Sequence, residues 1–249
     1  MKALQILSLL FLAITLSLKY KFLGDISIDS DVVHYLFNAS VILFSFSFLY
    51  PLLSKAKLKN AELEKNDELT NILKIIDEKN KTEIYVSRKY INDNAASLYK
   101  GNDLIIICGN KLLERLDKNQ LKFVIAHELL HVKKNHIIKN ILSFVFVVAG
   151  VPILLILLAP LALKVFNIIV VMSLCLIVYV GSFILHFLIS QKRELDADSY
   201  ATSLVGLDNG KKTLKILHEN KFIEEKKYSL VATHPCYKKR LDNLSKTSV

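Results

Sequence analysis

Cysteine is scarce in this chain of 249 residues: only Cys108, Cys175 and Cys236 are present, and no two of them form a CxxC pair. An odd and scattered set argues against a disulfide framework and favours a reducing compartment. Internal repeats, low-complexity linkers and nucleic-acid-binding motifs are also lacking. Charged residues make up only 22% of the chain and hydrophobic residues make up 52%, which excludes a disordered protein.

Four apolar runs without Asp, Glu, Lys or Arg explain this composition, and they cover 3–18, 32–53, 141–163 and 165–190. The last three can cross a bilayer core of about 30 Å as helices, and the first can do so if the lysines at its end snorkel. We therefore predict an α-helical membrane protein with four transmembrane helices, which excludes a purely soluble enzyme. No small-x-small cleavage site follows the first run, so we expect an uncleaved anchor rather than a signal peptide.

These runs divide the chain into four predicted parts. Residues 1–53 contain two transmembrane helices with a short external loop, and residues 138–190 contain a transmembrane helical hairpin. Residues 54–137 and 191–249 face water and together have the size of one domain, so we expect them to share one site. Lysine and arginine are concentrated on the side of these two segments, which predicts that both segments and both chain termini are cytoplasmic.

Individual residues mark the predicted hairpin. Pro152 lies inside the third run, where proline is expected to kink a helix. Pro160, Lys164 and Asn167 mark a tight turn between the two helices of the hairpin. His186 lies in the fourth run near its cytoplasmic end, where a neutral histidine is tolerated, so we expect a structural role for it.

The net charge is +10, because 33 lysine and arginine residues outnumber 23 aspartate and glutamate residues. The basic residues are not interleaved with aromatic residues as in a nucleic-acid-binding groove. A basic surface beside a membrane is explained by contact with anionic lipid. The lipid bilayer is therefore an expected partner, and nucleic acid is not.

The water-facing segments are predicted to combine helices with a small antiparallel sheet in an α+β domain. Apolar spacing predicts an amphipathic helix over 60–78, and a strand at Ile84–Val86 precedes a β-hairpin over 98–108 with a Gly-Asn turn. Asp117 and Gln120 form a capping box at the start of a helix. The further helices are predicted at 111–116, 118–135, 191–205 and 211–220.

The pentamer His127-Glu128-Leu129-Leu130-His131 is the pattern that carries chemistry. Histidines at i and i+4 lie on one face of a helix, where both can offer ring nitrogens to one Zn²⁺. Glu128 lies beside the first histidine, where it can act as a general base on water without ligating the metal. Such a pentamer arises by chance in about one chain in a hundred of this composition. The alternative interpretation is a surface helix with two incidental histidines.

A hydrolytic zinc site needs a third protein ligand. His136 lies roughly 140° around a continuous helix from His131, so we expect it to be a solvated or interfacial histidine instead of a ligand. Glu194 is the better candidate, and Asp198, four residues later on the same helix face, could accept a hydrogen bond from a ligating histidine. Taken alone, these two residues would be interpreted as a solvated acidic helix start.

Residues 92–138, which contain Asn94-Ala95-Ala96 and the pentamer, resemble the HtpX-type membrane zinc metalloproteases, relatives of the CAAX prenyl protease family. Two apolar runs precede the pentamer, and two more separate it from Glu194-x-x-x-Asp198. Thr233-His234-Pro235 followed by Arg240 is similar to the C-terminal signature of that family. Leu129-Leu130 and Ala96-Ser97 depart from the usual pattern, which affects the expected substrate preference and not the metal site.

The resemblance implies a gluzincin-like catalytic domain that binds one Zn²⁺ per chain through His127, His131 and Glu194. It implies that Glu128 is the general base and that Asp198 orients a ligand.

The resemblance also implies that His234 stabilises the oxyanion or gates the open position of the metal, and that Arg240 shapes the site. Asn94 and Ala95 match an edge strand that could pair with an extended peptide substrate, although such a strand can equally be an ordinary sheet edge.

The leading expectation is a zinc metalloendopeptidase, multi-pass in the cell inner membrane, that cleaves peptide bonds at the cytoplasmic surface. The resemblance implies substrates that are unfolded or misfolded membrane proteins, in quality control linked to heat shock and stress. One alternative is a selective processing protease of the prenyl-protease type, for which four spans leave little chamber wall. The others are a non-catalytic membrane scaffold and a helical-hairpin transporter, and the transporter lacks broken repeats and paired charges in its spans. The sequence does not indicate the oligomeric state.

Overall fold

A computed structural model of the protein describes residues 2–22, 30–59, 61–78, 81–89, 91, 93–100, 103–223 and 232–246. The elements run in the order α1 (Lys2–Lys19), α2 (Ser30–Lys59), β1 (Leu63–Lys65), α3 (Asp67–Ile76), β2 (Glu83–Ser87), β3 (Ala95–Lys100), β4 (Asp103–Gly109), α4 (Asn110–Arg115), α5 (Lys118–Lys133), α6 (His136–Val145), a π-helical segment (Phe146–Gly150), α7 (Val151–Ala162), α8 (Ile168–Val205), α9 (Leu207–Glu219) and α10 (Tyr237–Lys246).

Two compact units divide the chain. The first consists of Met1–Leu52 and Ile138–His186, and the second consists of Leu53–Ile137 and Phe187–Val249. The first unit is helical, and the second contains the sheet together with the chemistry-bearing residues of the sequence.

Pairs of hydroxyl groups join α1 and α2 in the first unit. Ser8 Oγ lies 2.8 Å from Ser47 Oγ, and Thr15 Oγ1 lies 2.7 Å from Ser40 Oγ. The two pairs are one heptad apart on each helix, so they lie on one face, and their order shows that the helices are antiparallel. Each of the four hydroxyls also lies within hydrogen-bond distance of a backbone carbonyl three residues earlier in its own helix, so the pairs add contacts between helices to polar groups that already have a local partner.

Two helical stretches in the described part of the chain are long and apolar enough to cross a membrane: His136–Ala162, with 27 residues, and Ile168–Val205, with 38 residues. Ser8–Lys19 is a shorter apolar stretch. Large apolar side chains cover the outside of α8, where Ile169 is 73% exposed and Leu176 is 64% exposed. A surface of this kind suits lipid better than water. Two of the four predicted spans are therefore supported, and the assignment of α1 and α2 to the membrane stays a prediction.

The predicted hairpin differs in detail from the structure. Before Pro152 the chain winds as the π-helical segment, which accommodates a residue that has no N–H to donate. Pro160 lies inside α7 and not in the turn, which falls after Ala162. In the same unit, His186 is buried and its Nδ1 lies 2.9 Å from Ser143 Oγ.

The sheet is mixed, so the prediction of an antiparallel sheet is wrong. Its strand order is β1-β2-β4-β3. β3 and β4 pair antiparallel as predicted for the hairpin, whose Gly-Asn turn lies outside the described residues. β2, however, pairs parallel with β4, because β3 lies on the far side of β4 and carries the chain back before β4 begins. Alternating residues alone do not reveal this crossover.

The helix predicted over 60–78 is shorter in the structure, because β1 occupies its first part. Asn66 has an extended backbone, and its side chain accepts a hydrogen bond from the backbone N–H of Leu69, so α3 begins at Asp67. Leu63 fits both an apolar helix face and a short strand, and pairing of β1 with β2 decides for the strand. The separate helix predicted over 191–205 is the end of α8. Gly206, with φ of 87°, separates α8 from α9, which begins at Leu207, four residues before the predicted start at 211.

The helix that carries the pentamer, α5, is held at its start by the capping box. Asp117 accepts hydrogen bonds from the backbone N–H groups of Asn119 and Gln120, and Gln120 Oε1 accepts one from the N–H of Asp117. Phe123, Ile125 and other apolar residues of α5 pack against β3, β4, α3 and α9. The predicted helix over 118–135 is confirmed, and it ends at Lys133.

We expect Asp117→Ala to destabilise the second unit by about 1 kcal/mol, because two backbone N–H groups of α5 lose their acceptor. The midpoint of thermal unfolding, followed by circular dichroism of the detergent-solubilised protein, should fall by about 2–4 °C. Asp117→Asn keeps a capping oxygen and should unfold near the wild-type temperature. Equal midpoints for the two variants would contradict this account of the cap.

Candidate metal centre

Three ligand atoms converge between α5 and α8. His127 Nε2 and His131 Nε2 are 3.1 Å apart, because the two residues occupy successive turns of α5. The carboxylate of Glu194 faces both rings, with Oε2 3.4 Å from His127 Nε2 and Oε1 3.4 Å from His131 Nε2. All three side chains are buried, and their ligand atoms lie within 4.8 Å of one another.

The donor set fits zinc. Two imidazole nitrogens and one carboxylate oxygen are a common set of protein ligands for a catalytic Zn²⁺. The two Nε2 atoms face each other at hydrogen-bond distance, so two bare lone pairs would repel unless a proton or a cation lay between the rings and the carboxylate. The pocket formed by these three residues is therefore electrostatically suited to a positive ion.

Asp198 fixes the ring of His127. Its Oδ1 lies 2.9 Å from His127 Nδ1, so the ring donates its Nδ1 proton and turns Nε2 towards Glu194. Burial by itself lowers the pKa of His127. The hydrogen bonds that the ring donates to the carboxylates of Asp198 and Glu194, together with their negative charges, outweigh burial and raise the pKa to about 10. For His131 the balance is reversed, since burial and the neighbouring His127 lower its pKa.

Arg240 on α10 holds Asp198 in turn. Its Nε donates to Asp198 Oδ2 at 2.7 Å and its Nη2 donates to Oδ1 at 2.5 Å, in a bidentate pair with no exposure of the carboxylate. Both oxygens of Asp198 are thereby satisfied, and His127, Asp198 and Arg240 form one connected chain of hydrogen bonds.

His136 lies inside the site, so the expectation that it is solvated or interfacial is wrong. It is buried, and its Nδ1 lies 2.9 Å from Nδ1 of His131. The reason is a break between α5 and α6: Asn135 has φ of 52°, and the chain turns there instead of continuing as one helix. His136 is not a member of the cluster of His127, His131 and Glu194, but it contacts His131.

Glu128 is buried beside the ligands, and Ser97 Oγ on β3 donates a hydrogen bond to its Oε2 at 3.0 Å. The carboxylate points out of α5 towards the sheet, where it is the neighbour of the ligand cluster and not a member of it.

His234 approaches Glu194 from the segment before α10. Its Nδ1 lies 2.9 Å from Glu194 Oε2, and its side chain is 69% exposed. The hydrogen bond with Glu194 raises the pKa of His234 above the ordinary value for histidine. Gln191 anchors the segment, because its Nε2 donates to the carbonyl of Ala232 and its Oε1 accepts from Lys239 Nζ, both at 2.9 Å.

Asn94 and Ala95 lie at the start of β3, outside the ligand cluster. Asn94 Oδ1 accepts a hydrogen bond from the N–H of Ala95, and the carbonyl of Asn94 accepts one from Gly109. Among the described strands, β3 pairs with β4 alone, so its other side is an edge. Peptide binding at this edge stays a prediction.

Sequence reasoning missed the contacts of His136, Ser97 and Gln191. A signal existed for Ser97, which occupies a position of β3 that faces α5, where apolar residues are expected. For His136 the signal was Asn135, a residue type that tolerates the left-handed conformation. Nothing in the local pattern around Gln191 indicates its partners.

The comparisons with known proteins agree with this geometry. The model of peptidase family M48 matches residues 58–248, well over half of the chain. No similar curated protein was found. The crystal structure of Ste24p from S. mikatae is similar, with a TM-score of 0.57 and 18% sequence identity. The match covers 98% of this chain and 65% of the Ste24p chain, so this protein spans about two thirds of the length of that structure and shares its fold. The chain therefore belongs to peptidase family M48, a family of metalloproteases.

Proposed function

We propose that the protein is a membrane-bound, zinc-dependent endopeptidase of the gluzincin type, which combines the HExxH and ExxxD motifs. The observation that carries the proposal is the cluster of His127, His131 and Glu194 with Glu128 beside it, in a chain of family M48. One Zn²⁺ per chain would be held by the three clustered residues. When bound, zinc supplies a Lewis acid that lowers the pKa of water and polarises the scissile carbonyl.

The remaining residues perform the proton transfers and the positioning. Glu128 takes a proton from the attacking water and delivers it to the leaving amine. His234 is exposed and next to Glu194, so it can swing towards the substrate and donate a hydrogen bond to the developing oxyanion. Asp198 and Arg240 keep the His127 ring in the orientation that turns Nε2 towards Glu194 and the metal site.

An extended substrate would bind as an additional strand on the edge of β3, near Asn94 and Ala95. Main-chain hydrogen bonds of this kind tolerate many side chains, which suits unfolded or misfolded membrane proteins. We propose quality control in the cell inner membrane as the biological setting, as an HtpX-type protease induced by heat shock or stress. In this setting the chain is multi-pass, with four spans, and the catalytic domain and both termini are cytoplasmic.

Selective processing of protein tails is the second candidate function. It is favoured by the shared fold with Ste24p, and its test is cleavage of a defined C-terminal tail in preference to an unfolded protein. A non-catalytic scaffold would need no buried general base, yet Glu128 is buried and hydrogen-bonded.

We expect detergent-purified protein to degrade casein, and Glu128→Gln to reduce the rate by about 10²–10⁴-fold because the general base is lost. The zinc content should stay at one per chain, since Glu128 is not a ligand. Chelation should stop cleavage by the wild type, and added zinc should restore it.

Glu114→Gln, on the exposed surface of α4, is the matched control for this experiment and should cleave like the wild type. Undiminished cleavage by Glu128→Gln would refute the mechanism, and protein that binds no zinc under any condition would favour the scaffold.

We also expect zinc binding to release at least one proton per chain between pH 7 and 9. The pKa of His127 is raised to about 10, so the metal-free site carries a proton on Nε2 that zinc must displace. The apparent zinc affinity should therefore rise by about tenfold per pH unit in this range. Titration calorimetry in buffers with different ionisation enthalpies measures the released protons.

Asp198→Asn is the informative variant for this measurement, because it removes a group that raises the pKa of His127. Proton release at pH 8 should be smaller in this variant. A wild-type protein that releases no proton at pH 7–8 would show that His127 is neutral before zinc binds.

A further inference from the structure

A polar side chain occupies an inward position of the sheet beside the metal centre. Ala95 and Ser97 lie on the same face of β3 because side chains alternate along a strand. Ala95 packs in the apolar cluster that contains Phe123 and Ala126 of α5, whereas Leu98 packs on the opposite side of the sheet. Ser97 therefore faces α5, at a position where packing alone would favour an apolar residue.

The hydroxyl of Ser97 has a specific partner. It donates to Glu128 Oε2 at 3.0 Å, and both side chains are buried, with 8% and 9% exposure. Within the described residues, no other side chain forms a hydrogen bond to this carboxylate. A buried hydroxyl without a partner is costly, and a hydrogen bond to a charged oxygen is among the stronger ones.

We propose that Ser97 is a positioning residue for Glu128: its hydroxyl fixes one carboxylate oxygen and so sets the rotamer that leaves the other oxygen free for proton transfer. A glutamate side chain rotates about three bonds, and the backbone of α5 determines only the position of its Cβ atom. Ser97 belongs to β3, which pairs with β4 through Ile106, so the constraint comes from the sheet and not from the helix.

The inference rests on the proposed function, since it names a residue that holds the proposed general base. The departure at Ala96-Ser97 was expected to affect substrate preference. The contact of Ser97 assigns it instead to the geometry of Glu128, with an effect on turnover rather than on substrate binding.

The first test compares steady-state casein cleavage by four zinc-loaded variants. Ser97→Ala should lower kcat by about 10- to 100-fold and change KM by less than about twofold, with one zinc per chain retained. Ser97→Thr and Ser97→Val have similar shapes and differ in the hydroxyl, so the threonine variant should have the higher kcat by a similar factor. Ser87→Ala is the matched control, because Ser87 is a buried strand serine whose hydroxyl donates to the carbonyl of Ala61, and its kcat should be unchanged.

The second test needs no activity. In infrared spectra of the metal-free protein, the carboxylate band that Glu128→Gln removes belongs to Glu128. Ser97→Ala should shift this band, whereas Ser97→Thr and Ser87→Ala should leave it near its wild-type frequency. This measurement separates failure of the inference from failure of the proposed function, because it is independent of whether the protein cleaves casein.

Two results would overturn the inference. One is a kcat for Ser97→Ala within twofold of the wild type, or equal kcat values for the threonine and valine variants. The other is a Glu128 band that Ser97→Ala does not move. An effect on KM alone would also contradict the inference and would indicate that Ser97 acts in substrate binding.

Discussion

Asp198 is a carboxylate without exposed surface, and its hydrogen bonds join three helices. Arg240 of α10 donates two of these bonds, and His127 of α5 supplies the third. A buried charge costs several kcal/mol unless it is paired, so this carboxylate is tolerated only because both partners are present. The orientation of the His127 ring therefore depends, through Asp198, on Arg240, which lies more than one hundred positions later in the chain.

The geometry of the centre follows from two helical turns that face each other. His127 and His131 are four residues apart on α5, and Glu194 and Asp198 are four residues apart on α8. Residues at this spacing point the same way, so each helix offers a pair of groups at a fixed separation. On α8 the two carboxylates have different contacts: Glu194 faces both histidine rings, and Asp198 contacts Nδ1 of His127, on the side of the ring away from Glu194. His234 comes from the segment before α10, and its side chain is exposed.

The sequence was informative wherever the relevant pattern is local. The capping box of Asp117 and Gln120 predicted the start of α5, and the period of the helix predicted that both histidines share a face. The parallel pairing of β2 with β4 could not be predicted in this way, because it depends on where β3 lies and not on the residues of either strand. The burial of His136 beside His131 was not predicted, for a related reason. The prediction extended one straight helix through Asn135, and a single residue with positive φ redirects the chain.

Three functional side chains of α5 each contact a residue from a different element. The ring of His127 is held by Asp198 on α8, the ring of His131 contacts His136 at the start of α6, and the carboxylate of Glu128 accepts from Ser97 on β3. Only the first of these partners has a spacing that a sequence pattern can capture, because it shares a helix with a ligand. The position of His136 depends on the end of α5 at Asn135, and the position of Ser97 depends on its place in β3. Both residues can change without altering the pentamer. A pentamer of this kind therefore specifies which groups meet the metal, whereas the neighbouring elements specify how rigidly each group is held.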